Sequence, residues 1–138
     1  MSDRRHVSTL AKLPLKILSG LLTVSLLLQF FIAGMSSLTA PDWWNYHKIW
    51  VGLFQWLVLP LPILAWLCGK PRGARVLLAS LPIFQIALQY FFVHRALDGR
   101  LPTGVGLHAL NGAMMLIVAT LLALGWLDGD DLFKNRQI

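Results

Sequence analysis

The stretch LPTGVGLHALNGAMMLIVATLLALGWLDGD, residues 101–130, holds no charge and no proline between Gly104 and Leu127. At about 1.5 Å per residue, a helix over these positions crosses the roughly 30 Å hydrocarbon layer of a bilayer. His108 and Asn111 nevertheless sit in its first turns. Polar side chains at that depth are costly, and they mark sites that need them.

Working outward, three earlier segments share this character. The spacing predicts helices over about 14–37, 43–68, 74–96 and 104–127. Of the 138 residues, 57% are hydrophobic and only 13% charged. A soluble domain of this length has too little interior to hide so much apolar surface. The connections leave no room for a further domain. The expectation is an all-α, four-helix transmembrane bundle occupying residues 1–138 as a single unit.

The net charge of +6 would suit nucleic acid, but its placement argues against that partner. Arg4, Arg5, Lys12 and Lys16 precede or enter the first helix. Lys70, Arg72 and Arg75 flank the second turn, and Lys134 and Arg136 follow the last helix; Lys48, Arg95 and Arg100 fall on the other side. This alternation predicts a multi-pass protein of the bacterial inner membrane with both termini cytoplasmic. Membrane lipid is the expected surrounding partner, with anionic headgroups attracted to the basic side. The charged start, apolar run and small residues around Ala33–Ser37 also suit a signal peptide. The repeat described next favours a retained helix instead. The lone Cys68 has no internal disulfide partner and no CxxCH spacing, which excludes covalent c-type haem attachment.

At an offset of sixty, LQFF (28–31) lies over LQYF (88–91), WLCG (66–69) over WLDG (126–129), and Gly52 over Gly112. About a dozen positions are identical without a gap. Leucine matches between apolar helices arise easily, whereas a paired Gln, Gly and Trp at one offset do not. The reading is two parallel two-helix repeats, related by an axis along the membrane normal. In the outer loops Pro41-Asp42 answers to Pro102-Thr103, at an offset of sixty-one. Asp and Thr are good N-cap residues, their side chains accepting bonds from first-turn amides. His47 follows Asp42 by five residues, and His108 follows Thr103 by five.

Asn111, Gly112 and Met115 follow His108 at i+3, i+4 and i+7, on one face. Glycine at such a place admits another backbone or a flat ligand. Helix two offers Gly52 near its histidine. Gln29 and Gln89 lie about two turns before the outer ends of helices one and three, with Gln85 deeper. The outer half thus gathers paired His, Gln and Gly with many aromatics. The inner half is expected to hold almost no polar side chain in its core. Two neutral imidazoles on facing helices of a bundle can supply both axial ligands of a b-type haem. Gln29, Gln89 or a backbone carbonyl would accept each ligand's other N–H. Lys48, Arg95 and Arg100 are the nearest cations for propionates. The plainer alternative is a pair of interfacial histidines bonded to water or headgroups.

His94, beside Arg95, is read as interfacial, or as a substitute ligand. His6 lies in the tail. A structural zinc needs about four ligands, and no carboxylate lies within the span. Trp43 and Trp44 mark the outer interface, Trp66 and Trp126 the inner one. Pro60 and Pro62 should kink helix two, and Pro82 helix three. Gln55 has no evident partner, and Asp128, Asp130 and Asp131 read as a solvated cluster. No nucleophile–base pair, phosphate loop or carboxylate dyad supports hydrolytic chemistry.

The H…G of helix two with LHALNG of helix four resembles an uncharacterised group of small bacterial four-helix membrane proteins. More loosely, the chain is similar to four-helix b-type membrane cytochromes with paired helical histidines. That resemblance implies haem ligation by His47 and His108, and an electron-transfer protein rather than a stand-alone enzyme. With no histidines in the inner half, a single outer haem would exchange electrons with quinol or a periplasmic partner. The alternative function is a non-catalytic accessory subunit of a larger membrane complex, its histidines and glutamines bonding between helices.

Overall fold

The computed structural model describes residues 2–128, with side chains from Leu10 onward. The chain forms α1 (Ser2–Leu38), α2 (Trp43–Phe54), a 3-10 turn (Gln55–Val58), α3 (Leu61–Leu67), α4 (Arg72–Leu97), α5 (Gly104–Ala123) and a second 3-10 turn (Trp126–Asp128). Four spans qualify for a membrane: Leu10–Leu38, Trp43–Leu67, Arg72–Leu97 and Gly104–Asp128. Within their apolar windows only 28, 22, 17 and 28% of residues are buried inside the protein. Most of the apolar surface therefore faces outward, as a lipid-embedded bundle requires.

α1 starts earlier than position 14 and runs through Pro14. The ring removes one amide donor there, and the surrounding turns keep the helix going. The second span is broken rather than smoothly kinked. Neither Pro60 nor Pro62 can donate a helical bond, so α2 tightens into the 3-10 turn and α3 restarts, with the Leu64 amide donating to the Pro60 carbonyl at 3.0 Å. Pro82, by contrast, lies buried within a continuous α4.

α1 packs between α5 and the α2–α3 span, and α4 packs between α5 and α3. The α2–α3 span and α5 are thus diagonal across the bundle. Leu22, Leu26, Phe54, Leu61, Ala65, Ala79, Met115 and Ala119 fill the centre. α4 and α5 approach closely at the outer end. A Cβ built on Gly104 would stand 2.5 Å from the Phe92 carbonyl oxygen, so only glycine permits that contact.

The inner end departs from its sequence reading. Arg75 is not a solvated flank but is 3% exposed. The 68–71 turn folds back on it. Nη1 donates to the carbonyls of Cys68 (3.2 Å), Gly69 (3.1 Å) and Lys70 (3.4 Å), and Nη2 to the Leu127 carbonyl (3.1 Å). Nη2 also reaches Asp128 Oδ1 at 2.9 Å. Asp128 is therefore an ion-paired bridge, not a solvated residue, and Lys16 meets its other oxygen at 3.0 Å. Ser19, wholly buried, adds a further polar group to the inner core. This network ties the first span, through Lys16, to the start of α4 and the end of the last span at one end of the bundle. Asp130, Asp131, Lys134 and Arg136 lie outside the described residues, as do the side chains of Arg4, Arg5 and His6.

Candidate functional site

The outer loops set the histidines' depth, though not by the expected caps. Asp42 and Thr103 occupy the N-cap positions without making a side-chain cap bond. Both have right-handed helical backbone angles, so the helices begin through backbone turns instead. The Asn45 amide donates to the Asp42 carbonyl and the Leu107 amide to the Thr103 carbonyl, each at 3.0 Å.

From these starts His47 and His108 project inward from diagonal helices, and their ring centroids lie 6.3 Å apart at a tilt of 44°. Each is half-buried. His108 Nδ1 lies 3.2 Å from the Gln89 carbonyl of α4. On the opposite side, Gln29 Nε2 of α1 donates to the His47 carbonyl at 3.2 Å. A second pair of bonds lies deeper. Trp50 Nε1 donates to the Ser25 carbonyl at 2.9 Å, and Asn111 Nδ2 to the Gln85 carbonyl at 2.8 Å. Ser25 and Gln85 are sixty residues apart, Trp50 and Asn111 sixty-one. The two halves thus use matched positions for matched cross-helix bonds. Residue identity hides this second pair, because indole and amide are different donors doing one job.

The glycines are not equivalent. A Cβ on Gly112 would meet Gln89 Nε2 at 3.0 Å and Phe30 Cζ at 3.3 Å, so α1 and α4 close on α5 there. A Cβ on Gly52 would meet nothing within 4 Å. Gln55 gains the partner that its sequence did not reveal: Tyr90 Oη donates to its Oε1 at 2.9 Å, tying α4 to the 3-10 turn. His94 is exposed, with Nδ1 2.7 Å from the Tyr90 carbonyl of its own helix. Among the described residues, no group of three or more His, Cys, Asp or Glu is placed to hold a metal ion.

Several buried polar atoms of this region lack a protein partner: His47 Nδ1 and the Oε1 atoms of Gln29, Gln85 and Gln89. A buried acceptor left unpaired costs about 1–3 kcal/mol. Their gathering near two facing imidazoles marks a place suited to a bound group. Trp44 stacks edgewise on His47, at 5.2 Å between ring centroids, and walls one side.

The class so defined is a four-helix membrane bundle with a polar site around the two histidines, at the end of the bundle opposite the Arg75 network. Within that class the chain belongs to a family of unknown function (DUF6220), which matches it over residues 29–97, half its length. The match takes in Gln29, His47 and Gln89, and ends before His108. No curated protein and no solved structure matches the chain.

Proposed function

We propose that the protein is a small b-type membrane cytochrome in which His47 and His108 hold one haem near the outer face. The carrying observation is the convergence of the two imidazoles, 6.3 Å apart between centroids, from helices that are diagonal in the bundle. Two metal–nitrogen bonds of about 2 Å each, added to the two ring radii, come to about the same separation. His108 already has Nδ1 at a backbone carbonyl. That arrangement fixes the tautomer of a ligating histidine and leaves Nε2 as the ligand atom. Gln29 Oε1 and His47 Nδ1 are both without partners, and Gln29 already donates to the His47 carbonyl through Nε2.

Bound there, haem supplies one-electron transfer, with quinol or a periplasmic protein as the exchange partner. Lys48, Arg95 and Arg100 sit at the outer end, where propionates would meet cations. The bacterial inner membrane and the cytoplasmic placement of both termini belong to the same proposal, supported by the charge asymmetry between loops.

The test is the native absorption spectrum, with haem content by pyridine haemochromogen alongside it, of His47→Ala, His108→Ala and His94→Ala, each purified in mild detergent. The first two should lose the six-coordinate low-spin spectrum, and the third should keep it. Haem retained in low-spin form by both His47→Ala and His108→Ala would overturn the assignment.

A further inference from the structure

We infer that Trp50 and Asn111 are positioning residues, each fixing the rotation of its helix so that His47 and His108 face one another before any group is bound. The consequence for haem rests on the reading above; the facing of the two imidazoles does not.

Helices that meet through apolar side chains in lipid have little to fix their rotation, because the lipid offers the same kind of contact as a neighbouring helix. α5 is such a helix. Its polar side chains are His108, Asn111 and Thr120, and Thr120 Oγ1 donates to the Leu116 carbonyl of its own helix. A slip of one residue position would turn α5 by about 100° and carry His108 away from His47. Among the described residues, two side-chain bonds join α5 to another helix. They are those of His108 with the Gln89 carbonyl and of Asn111 with the Gln85 carbonyl. α2 has one side chain that donates to another helix, Trp50, whose indole meets the Ser25 carbonyl at 2.9 Å.

Each of these donors stands three residues after its histidine, one turn along the same side of the helix. Each acceptor stands four residues before a glutamine that meets the histidine itself. Above Ser25, Gln29 Nε2 donates to the His47 carbonyl; above Gln85, the Gln89 carbonyl faces His108 Nδ1. Both histidine turns are thus tied twice to one neighbour, α2 to α1 and α5 to α4. A single tie is a pivot, whereas two ties a turn apart stop rotation. The upper tie runs in opposite directions in the two halves, from α1 to α2 but between the α5 ring and the α4 backbone. The lower tie recurs in one direction, always from the histidine-bearing helix. Indole and amide differ in length and share that task.

The experiment compares wild type with Trp50→Phe and Asn111→Leu, which remove the donor and keep most of the apolar volume. Haem-free protein labelled with ¹³C-histidine, in lipid, should show by solid-state magnetic resonance a cross peak between the His47 and His108 rings. Its absence from His108→Ala assigns it. Both donor variants should lose that cross peak, while the unfolding constant moves only about threefold, the worth of one bond between membrane helices. In haem-loaded protein each variant should bind haem about tenfold more weakly, as when groups that orient a metal's ligands are removed. The low-spin ferric g-values should shift as well, because they follow the relative orientation of the two imidazole planes. A role confined to packing would lower stability and leave both the cross peak and the g-values at wild type, and that result would overturn the inference. Circular dichroism checks folding, with Trp50→Leu or Asn111→Ala in place of a variant that does not fold. If wild type binds no haem, the haem reading falls and the cross peak alone decides the positioning role.

Discussion

Replacing Arg75 with methionine should destabilise the bundle more than any other single change at its inner end. The guanidinium is buried and makes five hydrogen bonds, four of them to backbone carbonyls and one to Asp128. Removing one partner of a buried ion pair costs about 3–5 kcal/mol, largely because the other charge is stranded. Here Asp128 keeps Lys16 at 3.0 Å and is 20% exposed, so its charge is not stranded. The cost should therefore fall near the lower end, about 3 kcal/mol, or more than a hundredfold in the unfolding constant. Asp128→Asn keeps an acceptor for Arg75 but takes the counter-charge from a buried guanidinium, which its four carbonyl bonds partly offset, so it should cost about 2 kcal/mol. Lys16→Met removes a partly exposed pair worth about 0–1 kcal/mol. Reversible unfolding in mixed micelles of rising dodecyl sulfate, followed by circular dichroism, measures all three. The expected order of cost is Arg75→Met, then Asp128→Asn, then Lys16→Met. An Arg75→Met cost under about 1 kcal/mol, or a Lys16→Met cost equal to it, would refute the reasoning.

Burial pushes the Cys68 thiol above its ordinary value of 9.0. The unfolded thiol therefore loses its proton first as pH rises, and the stability from this site, fully present below about pH 9, falls above it. Cys68→Ala should flatten that alkaline decline, and maleimide should label folded Cys68 slowly at pH 8; rapid labelling of the folded protein would contradict its burial. For orientation, cysteines introduced at 40 or 100 should react with an impermeant reagent added outside cells, and one at position 70 should not. Outside labelling at 70 would invert the topology.

The four spans were legible because uncharged length alone defines them, and the break in the second because two prolines lie two residues apart. The shared depth of His47 and His108 was legible from their equal distance to the outer loops, even though the capping bonds invoked for it do not form. Backbone turns do the same task, and sequence does not distinguish the two. Arg75 was not legible. A basic residue beside a short loop normally snorkels to water, and its burial depends on the 68–71 carbonyls folding back on it. Its carboxylate partner is 53 residues away, a pairing that no local pattern encodes. Gly52 and Gly112 look equivalent at the sixty-residue offset, yet only Gly112 is closed over, by Phe30 and Gln89.

The most direct test of the haem assignment is the spectrum of wild-type protein expressed with ample haem supply and purified gently. Two axial imidazoles predict a low-spin ferric species by electron paramagnetic resonance, and sharp α and β bands on reduction, at one haem per chain. A colourless protein under those conditions, or a high-spin five-coordinate iron, would contradict ligation by His47 and His108 and leave the accessory-subunit reading in its place.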